Sequence, residues 1–299
     1  MVRSMRRLTS VVLVILLAGC AAERPAGPAV TSPVPIEAAN ASGTGAGVAQ
    51  FYRCSVLLAG RNTAGSGFLF AAPPGVFLVT ARHVLFNADG GLRDNRLVVG
   101  PQIQPGGLPS SPPLTLDLSL LQSIGETRTH PHADAAVVRL ARPAKTAGGR
   151  PEIIEGVLAT GNVPVGLGDG LLSAGDCLAF GEVREGANAM LVGFPISLTA
   201  ILTTPGAQAD IPLLRRGAVA GRYPAGPLII TDIPSLPGNS GGPVAQQADD
   251  RGERWKLIGL LSGLIAKQVG VGTNDFEIHT GYSFVVPMDA VLELVRGWH

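Results

Sequence analysis

Thr231-Asp232-Ile233-Pro234-Ser235-Leu236-Pro237-Gly238-Asn239-Ser240-Gly241-Gly242-Pro243-Val244 sets one serine among glycines, between strand-like apolar runs. A nucleophilic serine needs a protruding hydroxyl and free backbone N–H groups facing the oxyanion that forms on its substrate. Glycine permits both, because it adopts turn dihedrals that other residues avoid and lets a second chain come close. The same residues also suit an ordinary Gly/Asn/Ser turn. What separates the two readings is whether a base, and an acid to orient it, occur elsewhere.

Both occur. Thr80-Ala81-Arg82-His83 follows the strand-like Val76-Phe77-Leu78-Val79, and His132-Ala133-Asp134 leads into Ala135-Ala136-Val137-Val138. Imidazole is the side chain best suited to act as a base near neutrality. Asp94 and Asp117 also lie between His83 and Ser240, but only Asp134 opens an apolar run.

In the order His, Asp, Ser, the segments T-A-R-H-V-L, D-A-A-V-V-R-L and T-D-I-P-S-L-P-G-N-S-G-G-P-V resemble the motifs of the trypsin-like (chymotrypsin-fold) serine endopeptidases, closest to the bacterial HtrA/Deg type. The resemblance implies an all-β fold of two six-stranded Greek-key barrels with a short C-terminal helix. It implies His83 as base, Asp134 as its orienting acid and Ser240 as nucleophile, with the N–H groups of Gly238 and Ser240 as oxyanion hole. Pro234 falls at the base of the family's specificity pocket, and Ser262, Gly263, Leu264 and Gly281 at its walls. With no carboxylate at the base, the expected preference is for small to medium apolar residues and not for Arg or Lys. Asn239 replaces the aspartate of trypsin-type zymogens, so activation by propeptide cleavage is not expected. Val84 stands where trypsins often carry a cysteine, and that family bridge is missing.

Composition narrows the class. Of 299 residues, 46% are apolar, enough for a substantial core, and 40 Gly with 24 Pro favour turns over long helices. Arg3, Arg6 and Arg7 precede Cys20 and no acid does, so without that segment the 23 basic residues fall to 20 against 22 acidic ones. Such a balance argues against a nucleic-acid binder, which carries a basic excess.

The three arginines are followed by Val11-Val12-Leu13-Val14-Ile15-Leu16-Leu17 and then Ala18-Gly19-Cys20. This is the layout of an export signal, and its apolar run is shorter than the ~20 residues that span a bilayer. Leu17-Ala18-Gly19-Cys20 resembles a bacterial lipobox, which implies a signal peptide over 1–19 and lipidation of Cys20. Ala21 after the cysteine implies outer-membrane sorting, so the expected location is the periplasmic face of a lipid-anchored cell envelope. An ordinary signal peptide and a signal anchor are the alternative readings. Residues 20–47 are rich in Ala, Pro and Gly and read as a disordered tether with a span of roughly 30 Å. In an exported chain Cys54 and Cys177 are consistent with a disulfide or with two buried thiols.

Short apolar runs separated by turn signals recur through 48–140. Phe51–Leu58, Gly67–Phe70, Val76–Thr80, Leu97–Val99 and Ala135–Leu140 read as strands of a first barrel. Leu114, Leu116, Leu118 and Leu120 alternate with polar residues and read as one more. Segment 141–175 reads as an inter-barrel linker and 176–299 as the second barrel, closing on a helix over Met288–Val295. The HtrA/Deg type usually continues into a PDZ domain; the sequence ends at His299, and none is expected. His130 and His132 form an H-x-H on a loop, expected to be solvated and not metal-binding; no cofactor is expected.

The function implied is hydrolysis of peptide bonds through a Ser-His-Asp triad and an acyl-enzyme, in envelope proteolysis or quality control. Polypeptides are the expected substrates, membrane contact runs through the lipid anchor only, and nucleic acid is not a partner. The alternative is a catalytically weak trypsin-fold lipoprotein that binds peptides or envelope partners. An esterase, a third reading, normally uses another fold and triad order.

Overall fold

The computed structural model describes residues 46–104, 107–145, 150–159, 167, 170–195, 211–271 and 274–298, with the side chains of 268–271 and 274–277 excepted. The expected signal peptide over 1–19, Cys20 and the expected tether as far as residue 45 lie outside the described residues; Ala46, expected in the tether, is instead buried and bridges to Trp255.

The first half carries α1 (Val48–Cys54), β1 (Ser55–Ala59), β2 (Ala64–Ala72), β3 (Gly75–Thr80), α2 (Arg82–Leu85), β4 (Arg96–Val99), β5 (Leu114–Asp117), α3 (Leu118–Ser123), β6 (Thr127–Thr129) and β7 (Ala136–Arg142). Three short strands follow, β8 (Glu152–Ile153), β9 (Val157–Ala159) and β10 (Leu172–Ser173). These ten strands form one sheet with the path β6-β7-β3-β2-β1-β4-β5-β9, β8 pairing with β7 and β10 with β2. The segment read as a linker therefore lends three strands to the first sheet.

The second half carries β11 (Asn188–Gly193), β12 (Leu213–Tyr223), β13 (Leu228–Thr231), β14 (Pro243–Gln247), β15 (Trp255–Val271) and β16 (Asn274–Pro287). They close into a six-stranded barrel, β11-β12-β13-β16-β15-β14, and the chain finishes in α4 (Met288–Arg296). Ala189, Leu191, Val219, Ile229, Val244, Ile258 and Val285 fill its interior. The alternate residues Met190 and Val192 of β11 face the other way, into a larger core shared with the first sheet.

Two local readings differ from expectation. The run Phe51–Leu58 begins in α1, where Phe51 and Cys54, three residues apart, are buried on one face. The leucine alternation over 114–120 stops being a strand at Asp117, whose carboxylate accepts the N–H of Leu120 at 3.0 Å and so caps α3. Leu118 and Leu121 are then buried at helical spacing. The ten strands form a half-barrel sheet, which with the closed barrel of the second half agrees with the double-barrel fold expected. Among the described residues β5 makes no ladder with β7, whose two edges are taken by β3 and by β6 and β8.

Helix α4 ties the C-terminus back to the first sheet. It buries Met288, Val291, Leu294 and Val295, and the Trp298 ring that follows lies 5.3 Å from Phe77 of β3. Arg128 stands over the same ring at 4.0 Å. Beneath it Glu126, its side chain only 2% exposed, takes Arg139 on both oxygens (2.6 and 3.0 Å) and Arg142 on one (2.8 Å). Burial alone would raise the Glu126 carboxyl, but the two guanidinium groups outweigh it and hold it below the usual carboxylate range. Since the folded value is the lower one, this stabilisation is complete above the unfolded value of about 4.3 and is lost as pH falls through the folded value. Glu126→Ala leaves Arg139 buried and unpaired, and is expected to cost about 3–5 kcal/mol. A urea titration with an unchanged slope and a lower midpoint checks this; a midpoint equal to that of wild type refutes it.

Candidate active site

Strand β13 delivers the chain into the loop 232–242, whose shape depends on two glycines in the left-handed region, Gly238 (φ +99°) and Gly241 (φ +87°). A Cβ on Gly241 would lie 2.1 Å from the carbonyl of Ser66 and 2.2 Å from the hydroxyl of Thr80, so no other residue fits. The Asn239 N–H donates to Leu236 O and the Gly242 N–H to Asn239 O, both at 3.0 Å. The Gly241 N–H reaches Leu261 O at 2.7 Å, fastening the loop to β15. The N–H groups of Gly238 and Ser240 donate to no described residue.

His83 lies in α2, one short turn after β3. Its backbone N–H donates to Asp134 Oδ1 at 2.9 Å and its Nδ1 meets Asp134 Oδ2 at 2.7 Å. The carboxylate therefore grips both the backbone and the ring of one residue, fixing the ring and favouring the tautomer with hydrogen on Nδ1. Nε2 is then the ring nitrogen left to accept a proton. A third donor, Ser262 Oγ, reaches Asp134 Oδ2 at 2.7 Å. Burial alone would raise the Asp134 carboxyl; hydrogen bonds from His83 and Ser262 and the charge of His83 hold it below the ordinary range. It stays ionised at neutral pH.

The hydroxyl of Ser240 donates to the carbonyl of Ser262 at 3.3 Å, and no hydrogen bond joins it to His83. Ser262 thus bonds Asp134 through its hydroxyl and Ser240 through its carbonyl, and gathers the three candidates into one site. Such contacts are often long without substrate and tighten when it binds.

Around the serine loop, Ser283 Oγ donates to Ile233 O (2.8 Å) and accepts from the Ser235 hydroxyl (2.9 Å). Ser283 pairs with Thr231 on one side and Leu264 on the other, so segment 233–235 is tied to β16, the strand between β13 and β15. The ladder of β15 with β14 ends at Leu260, and the edge beyond Ser262 pairs with no described strand. An open edge of this kind takes an extended peptide by backbone hydrogen bonds. Gly281 has φ +87° and nothing within 4 Å of where a side chain would start. Ser262, expected in a pocket wall, has its hydroxyl committed to Asp134 instead.

Several contributors had no usable sequence signal. Arg215, on the inward-facing side of β12, donates to the Pro234 carbonyl at 2.9 Å and brings a cation to that segment. His279 donates from Nε2 to Ser235 O (3.1 Å) while its Nδ1 accepts the Gly281 N–H (2.9 Å). His130, expected to be solvated, is 14% exposed and structural: its Nδ1 accepts the N–H groups of His132 and Ala133, and its Nε2 lies 3.2 Å from Glu293. It secures the loop that ends at Asp134. Among the described residues no group of three or more His, Cys, Asp or Glu is placed to hold a metal ion. Cys54 and Cys177 are free thiols, each pushed up to about 12 by burial.

A closed six-stranded β-barrel, a second half-barrel sheet and a C-terminal helix match the trypsin-like double-barrel fold. No protein-family model and no curated protein sequence matches the chain. Among solved structures it is similar to an HtrA-type protease AlgW with a tripeptide, at 16% identity and TM-score 0.48, covering 83% of this chain and 61% of that one. It is also similar to the HtrA-type protease AlgW with a decapeptide, at 15% identity and TM-score 0.46, covering 83% and 65%. The chain therefore spans less than two thirds of the length of those proteins.

Proposed function

We propose that the chain is a serine endopeptidase in which Ser240 attacks a peptide carbonyl, His83 accepts its proton and later returns it to the leaving amine, and Asp134 holds the imidazole and stabilises its charged form. The N–H groups of Gly238 and Ser240 receive the oxyanion. The observation that carries this reading is the single residue Ser262, bonded at once to Asp134 and to Ser240, beside a loop whose Gly238 and Ser240 amides donate to no described residue. Labelling by a fluorophosphonate probe tests it: wild type should react and Ser240→Ala should not. Casein digestion then separates a peptidase from an esterase.

A second reading has one observation in its favour. The Ser240 hydroxyl rests on the Ser262 carbonyl and not on His83. A protein that keeps this arrangement when peptide binds would be a peptide- or envelope-partner-binding module with little turnover. Absence of probe labelling in wild type, together with peptide binding, would select it.

The substrates proposed are polypeptides with an uncharged, small to medium apolar residue before the scissile bond. Pro234 supplies no carboxylate, and the Arg215 cation bonded to its carbonyl opposes a basic side chain. A peptide-library digest should return few cuts after Arg or Lys; a majority of such cuts would sink this assignment.

The proposed location is the bacterial cell envelope, through a lipid on Cys20, on the periplasmic face of the outer membrane. Cys20→Ala is expected to move the protein from the membrane fraction to the soluble fraction and to abolish incorporation of radiolabelled palmitate. Continued palmitate incorporation would remove Cys20 as the modified residue.

A further inference from the structure

Ser66 of β2 lies far from the serine loop in sequence, is fully buried, and commits all of its hydrogen-bonding groups around that loop. Its N–H donates to Ser240 O at 2.8 Å. Its hydroxyl donates to Gly238 O at 2.7 Å and accepts the Phe194 N–H, at the end of β11, at 2.8 Å. Its carbonyl accepts the hydroxyl of Thr80, three residues before His83, at 2.7 Å. One residue of the first sheet thus touches the serine loop twice, the second barrel once and the strand that leads to the histidine once.

The bond to Gly238 O has a chemical consequence. The Gly238–Asn239 peptide is held at both ends, its oxygen by Ser66 Oγ and its N–H by Leu236 O. With that plane fixed, the Cα of Gly238 and the place of the nitrogen bonded to it are held, while the direction of the N–H follows from the torsions on either side of the preceding peptide, ψ of Pro237 and φ of Gly238 (+99°). Space is tight: a Cβ on Gly193 would stand 3.1 Å from both Ser66 Oγ and Asn239 Oδ1. Rotation of the Gly238–Asn239 plane would strand a buried serine hydroxyl without an acceptor, a penalty that opposes the rotated form.

We infer that Ser66 is a positioning residue of the oxyanion loop, acting on the reacting carbonyl only through the Gly238 amide. This rests on the reading of Ser240 as nucleophile and of the Gly238 and Ser240 amides as oxyanion donors. A buried serine that merely stapled the two β-units would stabilise the fold without acting on the transition state. The two roles differ in kinetics, because an oxyanion donor acts mainly on the transition state.

The test compares wild type, Ser66→Ala and Val56→Ala on a peptide substrate, with melting temperatures measured alongside. Val56 is buried in the neighbouring strand β1 and belongs to no part of the site, so it reports the effect of a destabilised first sheet. Ser66→Ala is expected to lower kcat by about 10–100-fold with KM within about twofold, short of the 10²–10³-fold cost of deleting a donor outright. Val56→Ala should keep kcat. An unchanged kcat in folded Ser66→Ala would overturn the inference while leaving Ser240 as nucleophile. Equal losses of kcat in both variants at matched melting temperature would also overturn it. A wild type that neither turns over peptide nor takes up fluorophosphonate would instead overturn the underlying reading.

Discussion

Ser240→Ala is expected to lower kcat for peptide hydrolysis by on the order of 10⁴–10⁶-fold, with substrate binding nearly intact. The substitution removes one hydroxyl whose intramolecular bond is a 3.3 Å contact to the Ser262 carbonyl. Nothing in the serine loop depends on it. The loop is held by the Gly241 N–H to Leu261 O, the Ser66 N–H to Ser240 O and the Gly242 N–H to Asn239 O, all backbone groups that alanine keeps. Melting temperature should therefore change little, and the loss should fall in kcat. Single-turnover kinetics on a chromogenic peptide measures it. A variant within tenfold of wild type would show that Ser240 is not the nucleophile.

Asp134→Asn should cost about 10⁴-fold in kcat. The carboxylate accepts from the His83 backbone, the His83 ring and the Ser262 hydroxyl. Asparagine retains one acceptor oxygen and replaces the other with an NH₂ donor. Either the ring must then turn its unprotonated nitrogen towards the amide, or two donors face each other; both outcomes leave Nε2 unfit to take a proton from serine. The charge matters as well, since the imidazolium that forms loses its counter-ion. His83→Ala combined with Asp134→Asn should be scarcely worse than His83→Ala alone, because the aspartate acts through the histidine. Additive losses in that double variant would contradict this account. The carboxyl of Asp134 is held below its unfolded value near 3.9, so its contribution to stability is present above that pH and fades as pH falls through the folded value. Asp134→Asn should accordingly flatten the acid limb of the stability profile, as read by thermal melts between about pH 2 and 5.

Much of the site could be read in the chain because its chemistry is local. A serine between Gly238 and Gly241 needs two left-handed backbone positions, and both glycines have them. His83 and Asp134 each stand at the end or the start of an apolar strand, and strands are the most legible elements here: β3, β4 and β7 lie where the apolar runs put them. Helix α4 has its apolar spacing on one face, and Val291, Leu294 and Val295 are buried as that spacing requires.

Where the reading failed, two local signals competed. The leucine alternation continues past Asp117, yet an aspartate able to accept the N–H of Leu120 starts a helix, and burial of Leu118 and Leu121 favours it. Phe51 and Cys54 can be buried on a strand or on a turn of helix, and spacing alone does not choose. His130 looked solvated because its acceptors and donors are backbone amides and a glutamate more than 160 residues away.

By itself the sequence marked an all-β chain, through short apolar runs separated by turn residues, and three motifs whose resemblance to a known family supplied the candidates for nucleophile, base and acid and the place of the uncharged Pro234. Only the tertiary structure decided that Ser262 joins Asp134 to Ser240, that Arg215 reaches Pro234, and that Ser66 holds the Gly238 carbonyl from 172 residues away. Serine and arginine carry no periodic signature, and their partners here are backbone carbonyls and a distant carboxylate. The Ser262 and Ser66 bonds form only where the two β-units meet, and the Arg215 bond only within the closed barrel, so no stretch of chain records them beforehand.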